Sequence, residues 1–294
     1  MTRSGAAEHN GAGEARDASG QGPRPAAPSP WASVPERLPA PPRDRGGARV
    51  SCPRAGRAAV SVPSVRARDG FLAVAVFLVL LLAGFGLAAV GAKALGIGGG
   101  SGLVAVLIGG GTAGAVGTAV LARARAGLSA AGLGLVRPRR SMWHLSWQVP
   151  SAIVGSAVFA AVVGGGLLGL APSGDGVADG LAGPGVPLVL ALAGMAVACL
   201  LVPVVEEVAF RRYLLDGLRG RFDGLGARGT VLAVAVSTGV FAAAHVAPAA
   251  MMYVAPLGAC MAWMRIWYAS VWPGIVLHMV NNSLITAAVF AAAG

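Results

Sequence analysis

From Phe71 onward the apolar residues come in long runs, and the short stretches between them hold most of the charge. The runs are Phe71–Gly91, Leu103–Leu121, Trp147–Leu170, Val186–Val205, Gly229–Val246, Pro248–Met264 and Tyr268–Ala292. A helix rises 1.5 Å per residue, so about 20 apolar residues cross a hydrocarbon core of roughly 30 Å. Backbone groups in lipid must bond within their own segment, and continuous apolar runs of this length do so as helices. The pattern predicts an all-α polytopic transmembrane helix bundle of about seven or eight helices. Pro248–Met264 is short, which leaves the number open by one and admits a re-entrant segment. The triplet Gly109–Gly111 is expected to kink the second helix.

Composition agrees with this picture. Hydrophobic residues make up 55% and charged residues 12%, against roughly 25% charged in a soluble domain. Mean hydropathy is +0.70. A chain of this kind cannot cover its own surface with polar groups, which excludes an ordinary soluble enzyme. Glycine is frequent, at 45 residues, and small residues let helices approach closely in a bilayer. Residues 1–69 are different: rich in Gly, Pro, Ala, Arg and Ser, without apolar periodicity. They are expected to form a disordered cytoplasmic tail ahead of a membrane domain at 70–294. No apolar core of a signal peptide lies near Met1, so the run at Phe71 reads as a signal anchor.

Charge adds orientation. The net charge is +11. Residues 1–69 hold 11 Arg and 6 acidic residues, and residues 70–294 hold 12 basic and 6 acidic residues. The later basic residues sit between apolar runs, where they act as topology determinants; no nucleic-acid partner is expected. The Arg-bearing stretches at 54–68, 123–140 and 211–228, with Arg265, all fall on one side. Asp175 and Asp179 fall on the other. The expectation is a multi-pass protein of the cell membrane with a cytoplasmic N-terminus, in contact with the bilayer throughout. Cys52, Cys199 and Cys260 form no CxxC pair, and the last two read as buried thiols. No repeat of 20–50 residues is visible, so duplicated transporter halves find no support.

Few ionisable residues fall within the runs, and those that do are candidates for function. They are Glu206 and Glu207, His245, and His278 followed by Asn281 and Asn282. His144 lies among Trp143 and Trp147 as an interfacial residue, and His9 lies in the tail. Glu207 and Arg211 are four residues apart with the acid first, the favourable order for a stacked pair. Glu206 is turned about 100° away on a helix. It is left to face another helix, where a desolvated carboxylate can serve as a general base. Phe241 and His245 share a helix face by the same spacing. So do His278 and Asn282, which can donate hydrogen bonds to one oxygen. If the fourth helix continues to Gly217, Glu206 lies roughly 16 Å from its end; if the fifth starts near Val231, His245 lies roughly 21 Å in. A carboxylate and an imidazole could then meet within the bundle.

These residues resemble a known family. Glu206-Glu207-Val208-Ala209-Phe210-Arg211 matches EExxxR, Phe241 to His245 matches FxxxH, and His278 to Asn282 matches HxxxN. In this order on successive membrane helices they look like the CPBP intramembrane proteases. That group, also called the ABI family, holds CAAX-prenyl endopeptidases and bacteriocin-processing enzymes. The motif core covers about residues 190–290. The resemblance implies a membrane-embedded endopeptidase opening toward the cytoplasm. It makes Glu206 the water-activating carboxylate and His245 its partner, with His278 and Asn282 stabilising the oxyanion. Glu207 and Arg211 would hold the first motif in shape, with Phe241 in support.

Metal use stays open at this level. Glu206, His245 and His278 could supply three ligands to zinc. A glutamate-only route needs no metal and is favoured, because Asn282 is a poor zinc ligand and a good oxyanion donor. The substrate is expected to be a peptide or protein, lipid-modified if the CAAX branch is the guide. Two other classes compete: a non-enzymatic membrane scaffold or immunity-type protein that only binds a peptide, and a proton-coupled transporter using Glu206 and His245 as a relay.

Overall fold

The computed structural model describes residues 64–125, 128–171, 183 and 185–293. The expected tail up to residue 63, with His9 and Cys52, lies outside the described residues. So do Asp175 and Asp179.

The described chain is helical. We number its long helices α1 (Ala67–Ala94), α2 (Gly99–Arg125), α3 (Leu145–Phe159, continued by the π-helical turns Ala160–Leu167), α4 (Leu188–Arg221), α5 (Gly226–Ala243), α6 (Pro248–Tyr268) and α7 (Trp272–Ala293). Among the described residues, seven helices are long and apolar enough to cross a membrane, as expected of a multi-pass membrane protein. Outer faces carry exposed large apolar residues, such as Val79, Leu82, Leu87 and Val90 on α1, which suits contact with lipid rather than water.

α1 and α2 form an antiparallel hairpin packed on small residues. A Cβ at Gly84 would stand 2.7 Å from the Gly109 carbonyl oxygen, and one at Gly109 would stand 2.6 Å from the Ala88 Cβ. Glycine is needed there for the backbones to meet. α2 runs as one continuous helix through the triplet Gly109–Gly111. These glycines serve packing against α1. The expected tail boundary also moves. Ala67–Asp69 belong to α1. Asp69, in its first turn, suits the helix N-terminus, and its carboxylate lies 3.0 Å from Arg125 at the end of α2.

α4 is the central helix. Every residue from Glu207 to Leu215 is buried, under α1 on one side and α5 and α6 on others. The core gathers here, with Phe77 of α1, Phe210 of α4, Phe241 of α5 and Met261 of α6 almost wholly enclosed. α4 also departs from α geometry twice, in π-helical stretches at Val197–Leu201 and Glu207–Leu215. Such stretches are rare and concentrate at functional sites.

At the Arg-bearing end, the segment before α3 is tied to the helices. Arg212 Nε donates to the Gly132 carbonyl at 2.8 Å, and Ser270 Oγ donates to the Val136 carbonyl at 2.7 Å. Gly134 has φ +73°, and a Cβ there would press on the Arg212 side chain at 2.9 Å. Arg212 and Arg265 both pair with Asp216, at 3.1 and 2.6 Å. Arg211, Arg212 and Arg265 are therefore buried structural residues. The exposed charge at this end comes from others, among them Arg123, Arg125, Arg137, Arg139, Arg140, Arg221 and Arg228. Trp143 and Trp147 stand exposed nearby in sequence, in keeping with an interfacial belt; His144 contacts Trp147 edge-on.

Candidate functional site

Glu206 and Glu207 sit at the join between an α-helical turn, Val202–Glu206, and the second π-helical stretch of α4. Their surroundings differ. Glu207 is wholly buried, with its Oε1 3.3 Å from Arg211 Nη1. The Arg211 guanidinium stacks 4.2 Å over the face of Phe241 and donates through Nη2 to the Gly258 carbonyl at 3.2 Å. The charge-bearing groups thus face one another inside the bundle. A cation over an aromatic face gains further electrostatic attraction. Gly274 of α7 makes room for the acid: a Cβ there would come within 2.3 Å of Glu207 Oε2.

Glu206 points elsewhere. Its side chain keeps 14% of its accessible surface and lines a cavity of about 1010 Å³. Ala198, Val202 and Glu206 face this cavity as one stripe of α4, four residues apart. His278 and Asn282 do the same from α7, and Tyr253 does so from α6. The far wall is apolar, with Leu107 from α2 and Ala157 from α3. Neither Glu207 nor Arg211 is part of the lining.

His278 lies between the two acids. Its Nε2 is 3.6 Å from Glu206 Oε2 and its Nδ1 is 3.7 Å from Glu207 Oε1. Both distances exceed those of a direct hydrogen bond. The ring therefore stands at contact range between a cavity-facing acid and a buried one. Phe241 holds both imidazoles at its edges, with centroid distances of 5.0 Å to His245 and 5.9 Å to His278.

His245 stands just past the end of α5, not within it. The helix stops at Ala243, and Val246 takes a positive φ of 59°. Pro248 explains the stop. It forces the preceding residue out of the helical region, and Ala247 has φ −73° and ψ 122°. His245 Nδ1 is 3.0 Å from the Phe241 carbonyl oxygen. A carbonyl only accepts, so Nδ1 carries the hydrogen and caps a carbonyl that the helix end leaves free. Nε2 is then the ring's remaining nitrogen, and His245 also lines the cavity. Among the described residues, His245 makes no ion pair with Glu206, whereas His278 stands 3.6 Å from that acid.

Among the described residues, no three His, Cys, Asp or Glu side chains are gathered so as to hold a metal ion.

Asn282 Nδ2 donates to the Ala198 carbonyl at 3.0 Å, and its Oδ1 accepts from Asn281 Nδ2 at 3.2 Å. Asn281 accepts in turn from the Tyr253 hydroxyl. Tyr253 is a site residue that motif reasoning missed. A phenol within an apolar run, which needs a partner when buried, was the available signal. Thr286 was missed too; it lines the cavity and lies 3.6 Å from the Cys199 sulfur.

The comparison with protein families concerns one part of the chain. Residues 188–284 match the family model of the type II CAAX prenyl endopeptidases, described as Rce1-like. This third of the chain is similar to that family. The Rce1-like segment runs from the start of α4 into α7 and contains Glu206, Glu207, Arg211, Phe241, His245, His278 and Asn282. No curated protein and no solved structure matches the chain. The family is one of endopeptidases, so the Rce1-like segment points to proteolysis within the membrane and to a peptide substrate.

Proposed function

We propose that the protein is an intramembrane endopeptidase that hydrolyses a peptide bond with a carboxylate-activated water. The observation that carries this reading is the single cavity onto which Glu206, His245, His278 and Asn282 all open. Glu206 accepts a proton from water as the water oxygen bonds to the scissile carbonyl carbon. The carbonyl electrons move onto its oxygen, giving a tetrahedral oxyanion. The second amide N–H of Asn282 and a ring N–H of His278 donate to that oxygen. His245 presents Nε2 to the cavity, takes the proton from Glu206 and delivers it to the leaving nitrogen. The C–N bond breaks, and a carboxylate and an amine leave. The route uses these side chains and water alone, with no step through a metal.

Glu207 and Arg211 support the site from behind. Their pair, with Phe241 against Arg211, holds the α4 turn that aims Glu206. The apolar far wall suits a substrate with apolar or lipid-modified flanks. The positive-inside rule puts the Arg-rich end, with the start of α1, at the cytoplasmic face.

The test uses purified protein in lipid vesicles, a quenched fluorescent prenylated CAAX-type peptide and a set of unmodified membrane peptides. Cleavage by the wild type and none by Glu206→Gln is expected, with the variant still folded. Absence of cleavage of every probe by the wild type contradicts the reading and leaves a peptide-binding scaffold or a proton relay in its place. Equal cleavage by Glu206→Gln removes the proposed base.

A further inference from the structure

The first π-helical stretch of α4 leaves a backbone group in need of a partner at the depth of the cavity. Val202 N–H bonds to the Val197 carbonyl, five residues back. The next bond in that register would run from residue 203 to the Ala198 carbonyl. Residue 203 is proline and has no N–H. A carbonyl without a partner is costly in lipid. Asn282 supplies the donor, its Nδ2 reaching the Ala198 oxygen at 3.0 Å.

This contact orients a whole chain of side chains. The Ala198 carbonyl can only accept, so Asn282 must turn its amide nitrogen to it and its Oδ1 away. Oδ1 then accepts from Asn281 Nδ2 at 3.2 Å. Asn281 must in turn present its own Oδ1 to Tyr253, whose hydroxyl donates to it. Each carboxamide has two N–H groups and one oxygen. One N–H of Asn282 is held by Ala198 and its oxygen by Asn281, which leaves the second N–H. Asn281 is buried, and Tyr253, Asn281 and Asn282 all line the cavity.

Resting on the endopeptidase reading, we propose that Tyr253 and Asn281 are positioning residues that lock the Asn282 carboxamide with its free N–H turned to the scissile carbonyl. Neither residue touches the reacting atoms. They act through Asn282 and prevent rotation of the amide as charge develops. Preset donors stabilise a transition state because they need no rearrangement when the charge appears.

The experiment is steady-state kinetics on whichever peptide probe the wild type cleaves, with unfolding temperature measured on the same samples. Tyr253→Phe and Asn281→Ala should each lower kcat by about tenfold to 100-fold while KM stays nearly constant. Asn281→Asp keeps the acceptor for Tyr253 and loses the donor for Asn282, so it should behave like Asn281→Ala. In an Asn282→Ala background neither substitution should lower kcat further. The same fractional loss with and without the Asn282 amide would overturn the proposal, as would wild-type kcat for Asn281→Asp. If the wild type cleaves no probe, it is the endopeptidase reading that fails. The chain is then read from unfolding temperatures: losses for Tyr253→Phe and Asn282→Ala that combine to less than their sum support it, and simple addition overturns it.

Discussion

Glu206 and Glu207 adjoin in sequence and belong to different regions of the molecule. One acid opens onto a cavity with His245, His278 and Asn282. The other is sealed one layer behind it, against Arg211 at 3.3 Å, with no exposed surface. The cavity wall holds groups that can exchange protons with a substrate. The layer behind holds a fixed pair that no substrate reaches. On the proposed reading the same side-chain chemistry serves hydrolysis in one region and architecture in the other, and the single-residue step along α4 makes the division. It follows that neighbouring substitutions should fail in different ways.

The largest contrast lies in rate. Glu206→Gln should lower peptide cleavage by about 10²- to 10⁴-fold, the range expected for losing a general base, with the unfolding temperature close to wild type. Removing the pair behind it should act on stability first. Arg211→Ala leaves a buried carboxylate without its counter-charge, so unfolding in detergent should register a loss of about 3–5 kcal/mol. Gly274→Ala sharpens the boundary between the regions. Its Cβ would press on Glu207 Oε2, and overpacking of this kind costs about 1–3 kcal/mol. Denaturation should show that loss, with a smaller fall in cleavage rate as α7 shifts away from α4. The smallest effect is expected from metal removal. Treatment of purified protein with a chelator should leave the cleavage rate unchanged, since the donors do not gather as a metal site among the described residues. A rate that collapses and returns with added zinc would give the cavity wall a different chemistry.

Much of the fold was readable because the bilayer imposes it. Apolar runs near 20 residues long become helices, and the seven runs correspond to seven helices with shifted ends. The separation of Glu206 from Glu207 was also readable, since the spacing of Glu207 and Arg211 selects one acid for pairing. Other features were hidden for physical reasons. Helical periodicity places His245 inside α5, whereas Pro248 ends the helix before it. The triplet at Gly109–Gly111 suggests a bend when α2 is read alone, and only the approach of α1 shows what the small residues are for. The link from Pro203 through Ala198 to Asn282 joins residues 84 positions apart. It depends on a π-helical register that residue spacing does not announce. Tyr253 carried no motif and entered the site only when α6 and α7 were seen side by side.

The most direct measurement compares Glu206→Gln with Glu207→Gln in one preparation, following cleavage of the same peptide probe and the unfolding temperature of each variant. The account predicts a folded, wild-type-like but inactive protein for the first and a clearly destabilised protein for the second. Two variants with matching stability and matching residual activity would contradict it.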